Sequence, residues 1–372
     1  AGCGSAGGAE PAPTSQASAE SATSAASAAS TASNQPGPVT IPLTYLPAGS
    51  ASGQPAQPRL ATTISVGTSR LNVLVDTGSS GLKVLASKVA ATDATTTGTT
   101  STGAFGNGLT ISGNEATATL TLGAATATAQ TIVLVNSVSC APTVPNCEAA
   151  NGQTPEEFGG VFDGILGIGM TLRIGTSCCT NPMVGLTGNT SYVIHFDPAA
   201  PTLVLRPAQA TTARFTMTSL PPTASASASP SSVAAWDATP MQACLTVSSV
   251  LGKTCAPVVL DTGSATLNLL LPPSQAPPSS ALTGGGGVLN SFGQQVQLTI
   301  PPALTWTYTM PPAATPAAAQ TQLLNALSTP LIAYASQPNP LIVAGLPIFT
   351  RTDVLYDLGN GRICLAPQAT QS

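Results

Sequence analysis

One six-residue pattern occurs twice in this chain, once in each half. Residues 74–79 read Leu-Val-Asp-Thr-Gly-Ser, and residues 259–264 read Val-Leu-Asp-Thr-Gly-Ser. Further along each half, an apolar pair precedes a glycine, as Ile-Leu-Gly at 165–167 and as Val-Ala-Gly at 343–345. Order and spacing therefore repeat together, which indicates two halves built on one plan.

The chain around the repeated motifs is typical of an all-β protein. Short runs rich in Val, Ile, Leu and Thr alternate with Gly, Pro, Asn and Ser, and residues 320–327 suggest a short helix. The predicted strands are 64–66, 71–75, 117–122, 131–135, 192–196, 202–205, 245–247, 258–260, 296–300, 341–343 and 353–356. A body of this length is large for one β-sandwich, so we expect two β lobes, at 38–205 and 206–372, after a tail at 1–37.

The residue types of the repeated motif indicate a functional site. An aspartate at the end of a buried strand costs free energy unless it is hydrogen-bonded, and such positions are common in functional sites. The threonine hydroxyl can lock the two turns together, while the glycine N–H and the serine hydroxyl can donate to the carboxylate. The candidate catalytic residues are Asp76 and Asp261, supported by Thr77, Gly78, Ser79, Thr262, Gly263 and Ser264.

These features resemble those of pepsin-type aspartic proteases over residues 62–367. Phe-Asp-Gly-Ile-Leu-Gly at 162–167 is similar to the family's segment leading into its first ψ-loop. Residues 344–367 are similar to the family's C-terminal stretch, including its closing Leu-Ala-Pro. The resemblance implies an all-β, bilobal pepsin-like acid protease fold with pseudo-twofold lobes.

The resemblance also implies a mechanism and a partner. Asp76 and Asp261 would share one proton and one water molecule, because two carboxylates that close cannot both ionise. The substrate would be an extended peptide or an unfolded protein, the enzyme would be a monomer, and it would need no metal or cofactor. Phe158 and Phe162 either line an apolar side-chain pocket or pack in the core.

Two positions depart from the family's pattern near its substrate-binding flap. The flap motif Tyr-Gly-x-Gly is matched best by Phe105-Gly106-Asn107-Gly108, which keeps the aromatic ring and loses the hydroxyl. The tryptophan that the family places seven residues after its first catalytic aspartate is replaced by Lys83. We expect Phe105, Gly106 and Gly108 to form a rewired flap. Lys83, like Lys88, is expected to be an ordinary surface charge.

Charged residues are scarce, which narrows the possible functions. They make up 6% of the chain, with ten Lys and Arg against fourteen Asp and Glu. No cluster of basic residues exists, so we expect no nucleic-acid partner. The single histidine, His195, argues against a multi-histidine metal site and is expected to be structural. Residues 4–37 contain no Lys or Arg, so they do not resemble the basic pro-segment of the family's zymogens.

The eight cysteines indicate an oxidising compartment. Two pairs are close enough in sequence for local disulfides, Cys140 with Cys147 and Cys244 with Cys255. The adjacent residues Cys178 and Cys179 are predicted not to bond to each other, because a vicinal bridge strains the peptide. Either of them could reach Cys364, and the sequence leaves that pairing open.

The first three residues, Ala1-Gly2-Cys3, resemble the end of a bacterial lipobox, where the chain is cut before a cysteine that then carries lipid. Residues 4–37 are almost wholly Ala, Ser, Gly, Thr, Pro, Gln and Asn, which is typical of a flexible tether. We therefore expect lipidation at Cys3 and a protein anchored by lipid alone to the bacterial cell envelope, at the outer membrane, facing periplasm or exterior. The alternative is a cysteine without function in a disordered tail.

Three functions are open at this point. The first is an aspartic endopeptidase. The second is a non-catalytic module that binds peptide or polymer on a pepsin-like frame, which the altered flap favours. The third, a structural protein of the envelope, is favoured only by the tether. Two intact Asp-Thr-Gly turns favour the endopeptidase, because a binding module does not need both aspartates.

Overall fold

The computed structural model describes residues 37–49, 53–170, 178–179, 181–188, 190–221, 236–237, 239–283, 287–312 and 326–368. Its strands are β1 (Val39–Pro42), β2 (Thr44–Leu46), β3 (Arg59–Val66), β4 (Ser69–Asp76), β5 (Ser80–Leu85), β6 (Ala94–Ala104), β7 (Leu109–Leu122), β8 (Ala125–Cys140), β9 (Gly164–Ile168), β10 (Ser191–His195), β11 (Thr202–Leu205), β12 (Thr216–Ser219), β13 (Gln242–Val247), β14 (Leu251–Leu260), β15 (Leu267–Leu271), β16 (Leu282–Thr283), β17 (Val288–Leu289), β18 (Gln295–Ile300), β19 (Leu304–Thr309), β20 (Ile332–Ser336), β21 (Leu341–Ala344), β22 (Thr352–Asp357) and β23 (Arg362–Pro367). The α-helices are α1 (Met183–Thr187), α2 (Gln209–Thr212) and α3 (Leu346–Phe349). None of the helices in these ranges is long and apolar enough to cross a membrane.

The described strands form three sheets. One is built from β2 to β9, in the order β2-β3-β4-β9-β5-β8-β7-β6. A second is built from β13 to β21, in the order β16-β17-β20-β15-β21-β14-β13-β18-β19. The third, which we call the shared sheet, has the order β1-β11-β10-β22-β23-β12 and takes strands from both halves of the chain. The molecule is therefore a bilobal all-β fold, with one sheet in each lobe and the shared sheet joining them.

The two lobes repeat one arrangement around the Asp-Thr-Gly motifs. In the first lobe, β9 lies between β4 and β5, parallel to β4 and antiparallel to β5. In the second lobe, β21 lies between β14 and β15 with the same two directions. The apolar pairs that precede glycine lie on these inserted strands. The internal repeat of the sequence is thus a pseudo-twofold repeat of the structure.

Apolar side chains on the two faces of the first-lobe sheet enter different clusters. Val75 and Leu166 belong to the main core, whereas their neighbours Leu74 and Ile165 belong to a smaller cluster, because successive side chains of a strand point to opposite faces. This smaller group, called here the first-lobe cluster, consists of Ala61, Leu74, Ile111, Val133, Val135, Phe158, Phe162, Ile165, Cys178 and Cys179.

The predicted fold class is confirmed, and each predicted strand coincides with an observed one. The predicted segment 192–196 extends one residue beyond the end of β10. Residues 320–325 of the predicted helix and residues 1–36 of the predicted tail lie outside the described ranges. The predicted lobe boundary after residue 205 falls between β11 and β12 and stays a prediction.

The two predicted local disulfides are confirmed, Cys140–Cys147 at the end of β8 and Cys244–Cys255 between β13 and β14. The prediction for Cys178 and Cys179 is wrong, because the structure joins them in a disulfide with a cis peptide bond between them. The strain expected of a vicinal bridge therefore does not exclude it here, and neither cysteine is left to pair with Cys364.

His195, on β10, belongs to a charged cluster that links the two halves of the chain. Its Nδ1 lies 2.7 Å from Asp353 Oδ1, and the guanidinium of Arg214 donates to the other carboxylate oxygen. The hydrogen bond to Asp353 raises the pKa of His195, although partial burial opposes it. Burial alone would raise the pKa of Asp353, but the hydrogen bonds from His195 and Arg214 outweigh it and lower that pKa. The contacts of His195 are those of a structural residue.

Candidate active site

The two Asp-Thr-Gly turns meet where β4 and β14 end. Asp76 is the last residue of β4, Asp261 directly follows β14, and each is 7% exposed. A carboxylate buried to this extent needs hydrogen-bond donors. The first turn supplies two, since Gly78 N donates to Asp76 Oδ1 over 2.7 Å and Ser79 Oγ donates to Asp76 Oδ2 over 2.5 Å.

The second turn repeats both contacts. Gly263 N donates to Asp261 Oδ1 over 2.8 Å, and Ser264 Oγ donates to Asp261 Oδ2 over 3.1 Å. Each carboxylate is therefore held by the second and third residues after it. The two aspartates have matched orientations because the two turns have the same sequence.

The threonines of the two turns bind each other's backbone. Thr77 Oγ1 accepts from Thr262 N over 3.0 Å and donates to Leu260 O over 2.7 Å. Thr262 Oγ1 accepts from Thr77 N over 3.1 Å and donates to Val75 O over 2.7 Å. These four hydrogen bonds, which we call the threonine lock, are buried and join the two lobes at the site.

The glycines of the turns lie against the carboxylates. A side-chain carbon added to Gly263 would lie 2.9 Å from Asp76 Oδ1 and 3.0 Å from Asp261 Oδ1, so both carboxylates closely approach one point beside this glycine. A side-chain carbon added to Gly78 would overlap the Asp261 carboxylate. Glycine is therefore required at both positions by the close approach of the opposite turn.

Tyr356, on β22 of the shared sheet, lies within electrostatic range of both aspartates. Its side chain is 1% exposed, and its ring stacks on Tyr192 with centroids 5.0 Å apart. Burial raises the pKa of Tyr356, and the negative charges of Asp261 and Asp76 raise it further. The phenol is thus a neutral group within electrostatic range of both carboxylates, which the sequence reasoning missed.

Arg59, the first residue of β3, reaches from the first lobe to the second turn. Its Nη1 donates to Gly263 O over 2.8 Å, and its Nη2 lies 3.4 Å from Glu157 Oε1 and 3.6 Å from Glu156 Oε2. Arg59 and Glu157 are 5% and 4% exposed. Burial raises the pKa of Glu157, and the charge of Arg59 offsets this only in part. A buried ion pair of one lobe therefore holds the backbone beside Asp261, a second feature that sequence reasoning missed.

The predicted flap residues Phe105, Gly106 and Gly108 lie at the tip of the hairpin between β6 and β7. Gly108 N donates to Phe105 O over 3.1 Å, which closes the turn. The loop closed by the Cys140–Cys147 disulfide supports this tip, since Ala141 N donates to Gly108 O over 2.8 Å. The role of the hairpin in binding substrate stays a prediction.

The Phe105 ring packs against the first-lobe cluster. Its centroid lies 6.1 Å from that of Phe158, and Phe158 and Phe162 are 3% and 1% exposed. Phe158 and Phe162 therefore pack in the core, which was the second of the two alternatives for them. That cluster lies under the tip of the hairpin, so the hairpin covers an apolar surface.

The prediction that Lys83 is a surface charge is wrong. Lys83 is 2% exposed, because β5 is a central strand between β9 and β8. Its Nζ donates to Ser80 O over 2.5 Å instead of reaching solvent. Lys88, in contrast, has a side chain that is 51% exposed and that pairs with Asp163 over 3.3 Å.

Two further predictions concern chemistry outside the aspartate pair. Within the described ranges, no three His, Cys, Asp or Glu side chains are grouped as the ligands of a metal ion would be. Cys3, the predicted lipidation site, lies outside those ranges. Lipidation therefore stays a prediction.

Comparisons with known proteins agree with this geometry. The structure is similar to that of the aspartic proteinase from Irpex lacteus, with a TM-score of 0.55 and 21% sequence identity over 90% of this chain and 98% of that one. At this identity the likeness shows the fold alone. A search of curated proteins found no match. The family model of the PE-PGRS C-terminal aspartyl peptidase-like domain matches residues 39–233, more than half of the chain. The chain belongs to this family.

In this PE-PGRS C-terminal aspartyl peptidase-like protein, the matched segment carries only part of the site. It includes Asp76, Lys83 and the hairpin between β6 and β7, whereas Asp261 lies beyond its end. The second turn is recognised instead from the pseudo-twofold repeat and from the threonine lock. Family and fold together establish an aspartic protease-like frame.

Thr77→Val is expected to weaken the threonine lock. The change leaves Leu260 O and Thr262 N buried without a partner, at about 1–3 kcal/mol each, so the free energy of unfolding should fall by about 3 kcal/mol. Thr77→Ser keeps the hydroxyl and serves as the matched control in denaturant unfolding. Equal stability of the two variants would show that the lock contributes nothing.

Arg59→Met is expected to destabilise the fold in a pH-dependent way. Glu157 would be left buried without its cation, which costs about 3 kcal/mol near neutral pH. Because the folded-state pKa of Glu157 is raised, its contribution to stability is full below its unfolded pKa and is lost as pH rises through the folded value. The loss of unfolding free energy caused by Arg59→Met, measured by urea unfolding, should therefore be smaller in acid than at neutral pH.

Two controls test the assignment of that cost to Glu157. Glu157→Gln in the Arg59→Met background should restore most of the lost stability at neutral pH. Arg70→Met removes an exposed arginine and should change the stability by about 0.5 kcal/mol or less. A cost for Arg59→Met that is the same at all pH values would contradict the prediction.

Proposed function

We propose that this protein is an aspartic endopeptidase that activates water between Asp76 and Asp261. The observation that carries the proposal is that both buried carboxylates closely approach one point beside Gly263, each held by the same donors of its own turn. Two carboxylates this close resist double ionisation, so one retains a proton while the other is a base. Membership of an aspartyl peptidase-like family supports the proposal.

The proposed reaction has two steps. In the first, the ionised carboxylate takes a proton from water as the water oxygen bonds to the peptide carbonyl carbon, and the protonated carboxyl gives its proton to the carbonyl oxygen. In the second, the carbon–nitrogen bond breaks as the nitrogen takes the proton that came from water, and one hydroxyl returns a proton to the other carboxylate. The pair ends singly protonated, as it began, with its pKa values belonging to the pair.

The substrate proposed for this site is an extended peptide or an unfolded protein. It would lie between the turns and the flap hairpin, whose Phe105 covers the first-lobe cluster. Because that cluster is apolar, we expect apolar side chains to be preferred next to the cleaved bond.

We also propose that Cys3 carries lipid and anchors the protein to a bacterial envelope, at the outer membrane. Support comes from the resemblance of Ala1-Gly2-Cys3 to a lipobox end and from the tether-like composition of residues 4–37. Cells that express the gene should incorporate labelled palmitate into the protein, and Cys3→Ala should abolish the label. A labelled Cys3→Ala protein, or an unlabelled wild type, would refute the anchor.

A second candidate function is a non-catalytic module that binds peptide in the same cleft. The observation favouring it is the altered flap region, where Phe105 lacks a hydroxyl and a buried Lys83 replaces tryptophan. A statine-type peptide mimics the tetrahedral intermediate and separates the two functions. A binding module would bind substrate peptide and leave it intact, whereas an endopeptidase would cleave it and be inhibited by the mimic.

Asp76→Asn and Asp261→Asn should each abolish cleavage of an unfolded protein between about pH 3 and pH 7. Each change removes one of the two groups that exchange protons, and we expect a loss of at least about a thousandfold in kcat. Asp237→Asn, outside the site, is the control and should retain full activity. Absence of cleavage by the wild type, or cleavage that survives either active-site change, would overturn the endopeptidase proposal.

A further inference from the structure

Lys83 is a buried lysine that the proposed reaction does not use. It lies on β5, opposite Ile165 of β9 and Val133 of β8, and both neighbours belong to the first-lobe cluster. A lysine is rarely buried to 2% exposure unless a charged partner compensates it. Its position between two apolar neighbours therefore calls for an explanation in terms of charge.

The ammonium of Lys83 is bound by carbonyl groups. Its Nζ donates to Ser80 O over 2.5 Å and to Gly81 O over 3.3 Å. Within the described part of the chain, no carboxylate oxygen lies within ion-pair distance of it. Burial lowers the pKa of Lys83 to about 8, and the negative charge of Asp76 opposes this decrease. The side chain is therefore a cation throughout the acid range, coupled to Asp76 without a direct contact.

The carbonyl groups that bind Lys83 belong to the chain that leaves the first turn. Ser80 directly follows Ser79, whose hydroxyl donates to Asp76 Oδ2 over 2.5 Å. The ammonium is thus attached to the same stretch of backbone that orients the Asp76 carboxylate. A buried charge in this position is poorly screened by solvent and salt, so its field reaches the aspartate pair.

The other charged groups that the structure describes near β5 form ion pairs. Strands β8 and β9, which flank β5, contain no Asp, Glu, Lys, Arg, His or Tyr. In the turn at Glu156–Gly160, both glutamates face Arg59, and beyond the end of β5 Lys88 pairs with Asp163. Around the aspartates, Tyr356 is neutral in the acid range. Among the described residues, Lys83 is therefore a buried cation without an acidic partner of its own, and it is coupled electrostatically to Asp76.

We propose that Lys83 is a positioning residue whose charge keeps the Asp76–Asp261 pair singly ionised down to lower pH than an uncharged residue would. The inference rests on the proposed function and adds a residue that sets the pH range in which the enzyme is active. A nearby positive charge favours the ionised form of a carboxylate. Removing the positive charge of Lys83 makes each of the two ionisations of the pair less favourable. Both limbs of the bell-shaped pH profile therefore move to higher pH.

The test replaces the charge in two ways. Lys83→Met keeps the length of the side chain and removes both charge and hydrogen bonding, while Lys83→Gln is also neutral but can still donate to Ser80 O. Lys253→Met, at an exposed position, makes the same change of net charge elsewhere. The pH dependence of kcat/KM for an unfolded protein substrate is measured for all four proteins.

Both Lys83 variants are expected to shift both limbs upward by about one pH unit, a tenfold change in proton concentration, while Lys253→Met leaves them in place. Lys83→Met should also unfold at no lower denaturant concentration than wild type, because it replaces a buried charge with an apolar group. Unchanged limbs in Lys83→Met would overturn the inference. A normal profile in Lys83→Gln beside a shifted one in Lys83→Met would assign the effect to the Ser80 hydrogen bond and overturn the electrostatic account.

A second readout keeps this inference separate from the endopeptidase proposal. Carbon-13 NMR of labelled aspartate carboxyls follows the titration of the pair without any turnover. If the wild type cleaves nothing but the Lys83→Met pair titrates at higher pH, the inference stands and the proposed function fails. If the titration is unchanged in a protein that does cleave peptides, the inference fails and the function stands.

Discussion

The threonine lock is the interaction on which the rest of the site depends. Thr77 and Thr262 each pair with two backbone groups of the opposite turn, so neither turn can move without leaving buried polar groups unpaired. With the turns locked, Gly78 and Gly263 pass close to the opposite carboxylates, which brings the two aspartates together. The lock thus holds the ends of β4 and β14 together as one site. Because its four hydrogen bonds are reciprocal, the two turns are related by a pseudo-twofold axis.

The fold and the aspartate turns were predictable from the sequence because the contacts that shape them are local. The glycine and serine donors lie two and three residues after their aspartate, and a strand is recognisable from its own apolar run. Arg59 was not predictable, since its partner Gly263 is far away in sequence and is reached only after the lobes pack. Lys83 had a signal that was overlooked: it interrupts the apolar segment 81–85, and a strand that is apolar on both faces is a central one.

The scarcity of charge gives each buried charge more weight. In a chain with 6% charged residues, Arg59, Lys83 and Glu157 are all buried in the first lobe near the aspartates. Few mobile surface charges surround them, and burial keeps salt from screening them. The electrostatics of the site therefore depends on a handful of side chains whose positions are set by strand register.

The shared sheet can fold only after strands from both halves of the chain have been made. Its strands β1, β10 and β11 precede β22 in the chain, and β10 pairs with β22. Until β22 is made, an unpaired strand edge is exposed in the middle of the future sheet, which is a hazard for aggregation. Tyr356, which lies within electrostatic range of both aspartates, is on that same strand β22. In a nascent chain both Asp-Thr-Gly turns are therefore made before the strand that brings Tyr356 to them, so the aspartates exist for a time without this neighbour.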